Sequence, residues 1–306
     1  MSSPTAVTGP TVSFEFFPPK SLSAERGLMT CAHALRRFKP AFQTVTLGAG
    51  QQASDGNVER LAAGDLDGEG AWPVRLRDLT EVSTAAHIPL SRFATEHALF
   101  EHLDALWHQR IYRLVLIRGD GGANLPSGML SVAEAVRAIS QRWSFDISVS
   151  AYPEMHPKAV SRDSDLAVLK AKQDAGAARS ITQFFFNNED FYRFRDAADR
   201  AGVRMPVVPG VMPIHGYKRI ARFSDMCGAT FSADLLAAFS ACDGDRHQES
   251  ALARQILEDQ VTDLARNGVE HMHLYTLNRS DLSADACRAF EAAQAAVPPV
   301  RLALAG

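Results

Sequence analysis

Glu15 is the residue with the most evident capacity for chemistry, because it lies in the run Phe14-Glu15-Phe16-Phe17, which two prolines follow. Phenylalanine side chains around a carboxylate would exclude water, and desolvation raises a carboxyl pKa. A neutral carboxylic acid can donate a proton near neutral pH, as a general acid must. A glutamate that points outward and pairs with a helix lysine fits the same pattern. The run alone leaves both interpretations open.

Two further apolar runs end in residues suited to a ligand. Thr46 precedes Gly48-Ala49-Gly50, where small residues would let a ligand approach the backbone, although a plain tight turn explains them equally. Arg118, Gly119 and Asp120 bring a cation and an anion to one strand end, which suits a phosphate or the polar edge of a ring. A local ion pair between Arg118 and Asp120 is the alternative.

Three more runs end in polar side chains. Tyr152 and His156 lie in a loop stiffened by two prolines, and Gln183 precedes three phenylalanines. A glutamine amide can both donate to and accept from a heterocycle, or it can be satisfied by neighbouring strands. Arg279 follows the last apolar run and suits a carboxylate-bearing ligand. Together these residues indicate an organic ligand with a ring system and anionic groups.

The elements that must position these residues alternate along the chain. Short β-rich runs occur at 12–16, 43–47, 87–90, 113–117, 145–149, 180–184, 206–209 and 271–275, and helix-period segments separate them. Strands separated by helices imply a parallel sheet, and eight of them suffice to close a barrel. The fold class is therefore α/β, a (β/α)8 TIM barrel whose active face is the carboxyl end of the strands. Residues 217–242 are expected to add helices before the last strand.

Composition excludes several classes of function. The net charge of −3 gives no basic surface for nucleic acid, and no apolar run approaches the roughly 20 residues that span a membrane. The four cysteines form no C-x-x-C pair, and neither Glu154 nor His156 has the i, i+4 helical partner that a metal site would need, so we expect no metal, no disulfide and a cytoplasmic protein. Residues 1–10 are expected to be a flexible arm, and 11–306 a single barrel domain.

At these positions the sequence resembles the methylenetetrahydrofolate reductase family. The matching segments are 12–19 (VSFEFFPP), 116–120 (LIRGD), 151–157 (AYPEMHP), 169–177 (LKAKQDAGA), 181–186 (ITQFFF), 209–213 (PGVMP) and 275–279 (YTLNR). The resemblance implies an enzyme of one-carbon metabolism that passes hydride from NADH or NADPH through FAD to 5,10-methylenetetrahydrofolate, giving 5-methyltetrahydrofolate. It also implies a folate substrate and a homo-oligomer.

The resemblance assigns roles to individual residues. Glu15 would be the general acid that opens the methylene bridge, and Asp120 would lie between flavin and folate as the second catalytic residue. Gln183, Arg219, Phe223 and Arg279, with Asp120, would contact the folate substrate. FAD would be held by Thr46, Ala49, Arg118, Gly119, Asp120, Tyr152, His156, Asp165 and Lys172.

Several positions depart from the family pattern. Leu47 replaces an aromatic residue, Leu90 replaces a flavin-contacting histidine, Ser131 occupies the place of a tyrosine, and Arg219 replaces a glutamine. The first three changes remove polar or stacking contacts and predict weaker FAD binding. An FAD-independent relative with direct hydride transfer, a non-catalytic folate- or flavin-binding barrel, and a different barrel enzyme such as a pterin-binding methyltransferase or a flavin-dependent oxidase are the alternatives.

Overall fold

Eight parallel strands close into a barrel in the computed structural model, which describes residues 11–47, 68–119 and 125–296. The strands are β1 Thr11–Phe16, β2 Phe42–Val45, β3 Thr84–Pro89, β4 Arg113–Ile117, β5 Asp146–Ala151, β6 Arg179–Phe184, β7 Val207–Val211 and β8 His271–Tyr275. Each strand pairs with its sequence neighbours, and β8 pairs with β1 to complete the ring. The predicted (β/α)8 barrel is confirmed.

The helices of the described ranges follow the strands in the order that a barrel requires. They are α1 Leu22–Leu35, α2 Trp72–Thr80, α3 Glu96–His108, α4 Val132–Arg142, α5 Arg162–Asp174, α6 Asn188–Arg200, α7 Tyr217–Cys227, α8 Ala233–Ser240, α9 Arg246–Arg266 and α10 Asp281–Ala296. Both α7 and α8 precede the long helix α9, which leads into β8. The predicted extra helices before the last strand are confirmed.

Local sequence signals set several helix ends. Ser131 and Glu134 form a capping box at the start of α4, in which each side chain binds the backbone N–H of the other residue. Gly176 and Gly202 follow α5 and α6 with positive φ angles, which a glycine adopts without the steric cost of a Cβ. These devices end each helix in time for the next strand to enter the barrel.

The alternation of side chains along β1 separates two environments. Phe14 and Phe16 are buried outside the barrel in a cluster that includes Leu28 of α1 and Phe290 of α10. Ser13 and Glu15 lie on the opposite, inner face. A smaller apolar cluster of Phe42, Ala85, Val115, Ile181 and Val208 fills part of the barrel interior. The barrel is therefore a packed core that leaves polar groups near its axis.

The prediction for the third strand was wrong in extent. It placed the strand at 87–90, whereas β3 begins at Thr84 and ends at Pro89, with Leu90 in the short helical turn that follows. The alanines at 85 and 86 have weak strand propensity, but pairing with β2 and β4 on both sides holds them in the sheet. Within the described ranges, no helix has both the length and the apolar character needed to cross a membrane.

Candidate functional site

A cavity at the carboxyl end of the barrel collects residues from all eight strands or from the positions directly after them. Those with functional interest are Glu15, Thr46, Leu47, His87, Gly119, Tyr152, Gln183, Phe184, Phe223, Cys227 and Tyr275. Of the polar residues expected to meet at this barrel mouth, Glu15, Tyr152 and Gln183 line this cavity, whereas Arg279 lines a different one. Ala49 and Asp120 lie outside the described residues, so the expectations for them stay untested.

Glu15 lies at the inner end of this cavity, with its side chain 9% exposed. The hydroxyl of Thr46 donates a hydrogen bond of 2.5 Å to its Oε1. The Nε2 of His273 lies 3.3 Å from its Oε2. Both carboxylate oxygens therefore have a partner, and the side chain is held at the base of the cavity.

The prediction that the pKa of Glu15 is raised was wrong. Burial does raise it, but the hydrogen bond with His273, the attraction to the His87 and His273 imidazoles when they are protonated and the Thr46 hydroxyl together outweigh burial, and they hold the pKa below its usual value. Phe14 and Phe16 lie on the other face of β1 and do not surround the carboxylate, whereas Phe17 lines the cavity. Glu15 is therefore ionised at neutral pH when the cavity holds no ligand.

Alternation along β6 directs Gln183 into the cavity, because Ile181, two residues earlier, lies in the barrel interior. Gln183 is half-buried and lines the cavity. Its Oε1 accepts from the backbone N–H of Phe184 at 3.3 Å. Its Nε2 group makes no hydrogen bond within the described ranges, so it can donate to a ligand in the cavity.

Aromatic rings form one wall of the cavity. Phe223 of α7 stacks on Phe184, with ring centroids 5.6 Å apart and an interplanar angle of 17°. Tyr275 packs edge-on against Phe184, and its hydroxyl donates to the carbonyl of Thr182 at 2.8 Å. A flat ring system would find an apolar face here, in the same cavity as the carboxylate of Glu15.

A second cavity adjoins the first at Ser150 and Tyr152, which line both. It contains Arg118, His156, Lys158, Asp165 and Lys172, together with several apolar side chains. The Asp165 carboxylate accepts from the backbone N–H of His156 at 3.0 Å and so fixes the loop after β5. The structure therefore brings together five of the residues assigned to FAD, namely Arg118, Tyr152, His156, Asp165 and Lys172.

Lys172 has the most unusual environment in this second cavity. It is buried on α5, and its Nζ donates to the carbonyl of Ser150 at 2.8 Å. Burial lowers its pKa to about 8, and the nearby Asp165 only partly offsets that effect. A cation under-solvated in this way gains from an anionic ligand. With Arg118 and Lys158 nearby, this donor set fits the diphosphate of a dinucleotide such as FAD.

Gly119 lines the first cavity directly after β4, and it packs closely against Ser91. Its φ is +85°, and a Cβ there would lie 2.2 Å from the Oγ of Ser91. Only glycine fits this position without a shift of the Ser91 and Pro89 side chains. The buried Ser91 Oγ has no hydrogen-bond partner within the described ranges.

Arg219 and Arg279 line a different cavity at the same end of the barrel, with His215, Arg246 and Asp281. Arg279 pairs with Asp281 at 2.9 Å, and burial with the charge of Arg279 lowers the pKa of His215 to about 4. The structure therefore does not place these two arginines beside Glu15. Their location suits the charged end of an extended ligand.

Sequence reasoning missed His87 and His273, which act directly on Glu15, and Tyr275 and Cys227 on the cavity wall. A signal was present: His271, His273 and Tyr275 alternate along β8, so that all three rings lie on one face of the strand.

Comparisons with known proteins agree with this architecture. A family model described as methylenetetrahydrofolate reductase matches residues 3–291. The 5,10-methylenetetrahydrofolate reductase of Escherichia coli (strain K12) is 35% identical over 280 residues, covering 90% of this chain and 89% of the relative. Methylenetetrahydrofolate reductase (NADH) 1 of Arabidopsis thaliana is 28% identical over 284 residues, covering 87% of this chain and 46% of the relative.

A solved structure supports the fold alone. A Clostridium thermocellum protein, described as binding two copies of 5-methyl-5,6,7,8-tetrahydrofolic acid, superposes with a TM-score of 0.59 at 14% identity, covering 94% of this chain and 96% of that one. The sequence match over nearly the whole chain is the stronger finding. With the closed barrel that it accompanies, it shows that the chain belongs to the methylenetetrahydrofolate reductase family.

Proposed function

We propose that this protein reduces 5,10-methylenetetrahydrofolate to 5-methyltetrahydrofolate, with hydride from NADH or NADPH passed through bound FAD and with Glu15 as the general acid. One observation carries the proposal. A buried carboxylate with hydrogen-bond partners on both oxygens lies at the base of a partly aromatic cavity, in a chain of this family. Simple binding of a folate would not require that carboxylate.

The second cavity supplies the residues that would hold FAD. Arg118, Lys158 and Lys172 would neutralise its diphosphate, and Tyr152 would contact the part of the molecule that enters the first cavity. FAD held there would supply hydride-transfer chemistry between the nicotinamide and the folate, which amino-acid side chains cannot perform. The protein contributes the relative positions of the two rings.

Glu15 would transfer a proton to the bridging nitrogen of the folate, so that the methylene bridge opens to an electrophilic iminium. The carboxylate is ionised in the unliganded protein and must gain a proton before this step. Two ring systems in the cavity would exclude water and raise the pKa of the carboxyl group. Thr46 and His273 would then hold the protonated group toward the reacting nitrogen.

The substrate would be oriented by Gln183 and Phe223, which line the same cavity as Glu15. The free amide nitrogen of Gln183 would donate to a pterin acceptor, and Phe223 would cover the ring face. Arg219 and Arg279 would bind the carboxylates of the folate tail, which extends away from the reacting atoms. Their position in a separate cavity is consistent with a role in binding and not in the chemical step.

Direct hydride transfer without FAD is a second candidate, because the family's flavin contacts are altered. Leu47 lines the cavity where an aromatic residue is usual, and Leu90 is buried in the apolar core in place of a histidine. Absorption spectra of the purified protein, with an activity assay after removal of FAD, decide between the FAD-dependent and the direct reaction. A yellow protein with flavin bands supports the first, whereas reduction of the folate by protein freed of FAD supports the second.

The decisive experiment separates the two half-reactions under anaerobic conditions. Glu15→Gln should slow reoxidation of the reduced flavin by 5,10-methylenetetrahydrofolate by about 10²–10⁴-fold, which is the usual contribution of a general acid. Reduction of the flavin by NADH or NADPH should keep its rate, because no proton from Glu15 enters that step. Glu291→Gln, an exposed carboxyl on α10, is the matched control. Equal losses in both half-reactions of the Glu15 variant would contradict the assigned role.

A further inference from the structure

A row of hydrogen-bonded side chains runs through the barrel from Glu15 to its amino end. His273 lies 3.3 Å from Glu15 through Nε2 and 2.7 Å from the hydroxyl of Ser13 through Nδ1. The same hydroxyl lies 3.0 Å from Nε2 of His271, whose Nδ1 lies 2.5 Å from the hydroxyl of Thr11. Four contacts therefore join Thr11 to Glu15, over about 13 Å of strand.

One set of donors satisfies every contact in this row. If both imidazoles are neutral with the proton on Nε2, Thr11 donates to Nδ1 of His271, and Nε2–H of His271 donates to Ser13. Ser13 then donates to Nδ1 of His273, and Nε2–H of His273 donates to the Glu15 carboxylate. A neutral imidazole has one donor and one acceptor nitrogen, and a hydroxyl can do both, so no position is left unmatched.

The environment of His271 favours the neutral imidazole that this arrangement needs. Burial, followed by the effect that His273 has when it is protonated and by the charges of Arg179 and Arg113, lowers its pKa to about 3. Phe42 stacks on its ring at a centroid distance of 6.2 Å and an angle of 14°, which holds the ring plane. Asp146 pairs with both arginines and keeps their guanidinium groups in place beside the imidazole.

The far end of the row reaches a separate opening. Thr11 and His271 are both half-buried, and both line a cavity at the amino end of the strands. Glu15 lines the cavity at the carboxyl end. The row thus connects the two ends of the barrel, through an interior that the apolar cluster around Val115 and Ile181 otherwise fills.

We propose that Thr11, His271, Ser13 and His273 form a proton path that supplies Glu15 from solvent at the amino end of the barrel. This inference rests on the proposed function, since it gives the source of the proton that Glu15 donates. It goes beyond the site itself because its outer half, His271 and Thr11, contacts neither of the proposed ligands. The path has a physical purpose: ligands stacked at the mouth would shield Glu15 from solvent on that side.

Each transfer along the path forms one bond to hydrogen and breaks one. A solvent proton joins the Thr11 oxygen as its own proton moves to Nδ1 of His271. The Nε2 proton of His271 moves to Ser13, the Ser13 proton moves to Nδ1 of His273, and the Nε2 proton of His273 moves to Glu15. One proton enters, Glu15 becomes neutral, and no charge remains on the path. Rotation of the hydroxyls and return of the imidazoles to their first tautomer restore the starting state.

The first test compares half-reactions in the His271→Ala holoenzyme. Folate reduction should fall by about 10- to 100-fold, less than for Glu15→Gln because protons can still leak in from the mouth. Flavin reduction by the nicotinamide should be unchanged. Imidazole should restore folate reduction in a saturable manner, because the deleted side chain lines the amino-end cavity. Unchanged folate reduction, equal slowing of both half-reactions or absence of rescue would each overturn the proposal.

A second variant and a measurement without turnover guard against loss of folding. Thr11→Val keeps the shape of the side chain and removes the outermost hydroxyl, so it should also slow folate reduction selectively. Arg195→Ala, in the same cavity but outside the row, is the control. Imidazole ¹⁵N NMR of the resting protein should show both His271 and His273 protonated on Nε2, and an Nδ1 proton on His271 would contradict the path. If Glu15→Gln itself spares folate reduction, the proposed function fails instead.

Discussion

Replacement of Lys172 by methionine should stabilise the protein while weakening its hold on FAD. Lys172 is buried and has a pKa of about 8 instead of the ordinary 10.5, so folding at pH 7 places an ammonium group where it is poorly solvated. Each pH unit by which folding lowers a pKa corresponds to about 1.4 kcal/mol, so burial of the charged Lys172 costs about 3 kcal/mol of unfolding free energy. Loss of the hydrogen bond to the carbonyl of Ser150 lowers the unfolding free energy of the variant by about 1 kcal/mol. The net gain in unfolding free energy is about 2 kcal/mol.

The gain should depend on pH with a definite sign. Below pH 8 the folded wild-type protein carries the buried charge and the full penalty, whereas above pH 10.5 neither state of Lys172 is charged. Between these values the unfolded chain binds more protons than the folded one, so the wild-type contribution becomes more favourable as pH rises. The advantage of Lys172→Met should therefore shrink from pH 8 upward and vanish at about pH 10, where the remaining penalty equals the lost hydrogen bond of about 1 kcal/mol. Above pH 10.5 the variant should be less stable than wild type by about that amount.

Urea unfolding of the FAD-free protein at pH 7 and pH 9.5, followed by circular dichroism, measures the effect, and titration with FAD measures affinity. FAD should bind at least about tenfold more weakly, since a charge-assisted contact is worth about 1.5–3 kcal/mol. Lys170→Met on the same helix, a partly exposed lysine paired with Asp174, is the control and should change neither property much. A methionine variant less stable than wild type at pH 7, or one with unaltered FAD affinity, would refute this reasoning.

Three further outcomes are expected. Gly119→Ala forces a Cβ into a neighbouring hydroxyl at positive φ, so unfolding by urea should show a loss of about 1–2 kcal/mol. Arg279→Ala should raise KM for the folate severalfold and leave kcat near its wild-type value, whereas Arg222→Ala, exposed on α7, should change neither in steady-state assays. Thr46→Val removes a donor to the Glu15 carboxylate and raises the pKa of that group, so the pH profile of folate reduction should extend to higher pH.

The fold could be predicted because its signals are local. The capping box at Ser131 and the glycine at 176 mark helix ends within a few residues, and alternation of such helices with β-rich runs allows few topologies. Where the local signal is weak, as in the alanines at 85 and 86 of β3, the boundary was misplaced. There the strand is held by its two neighbours in the sheet, and this information is not in the segment itself.

The position of Glu15 at the barrel mouth could be predicted from its strand, but its ionisation could not. The phenylalanines beside it in sequence occupy the outer face of β1, where they pack on helices. The groups that set its pKa, namely His273, His87 and Thr46, belong to three other strands or strand ends. A pKa depends on distances in space, and a strand turns sequence neighbours to opposite faces.

The same reasoning explains why the row from Thr11 to Glu15 could not be predicted from the sequence. Its members come from β1 and β8, about 260 residues apart, and they meet only because the barrel closes. The register pairs Thr11 with His271 and Ser13 with His273, so each hydroxyl on β1 lies level with an imidazole on β8. A slip of one residue would turn both histidines out of the barrel, because side chains alternate with a period of two. Closure of the barrel between β8 and β1 therefore positions the hydrogen-bond partners of Glu15 as much as β1 positions Glu15 itself. Proton transfer by Glu15 would thus depend on the pairing of the first strand with the last.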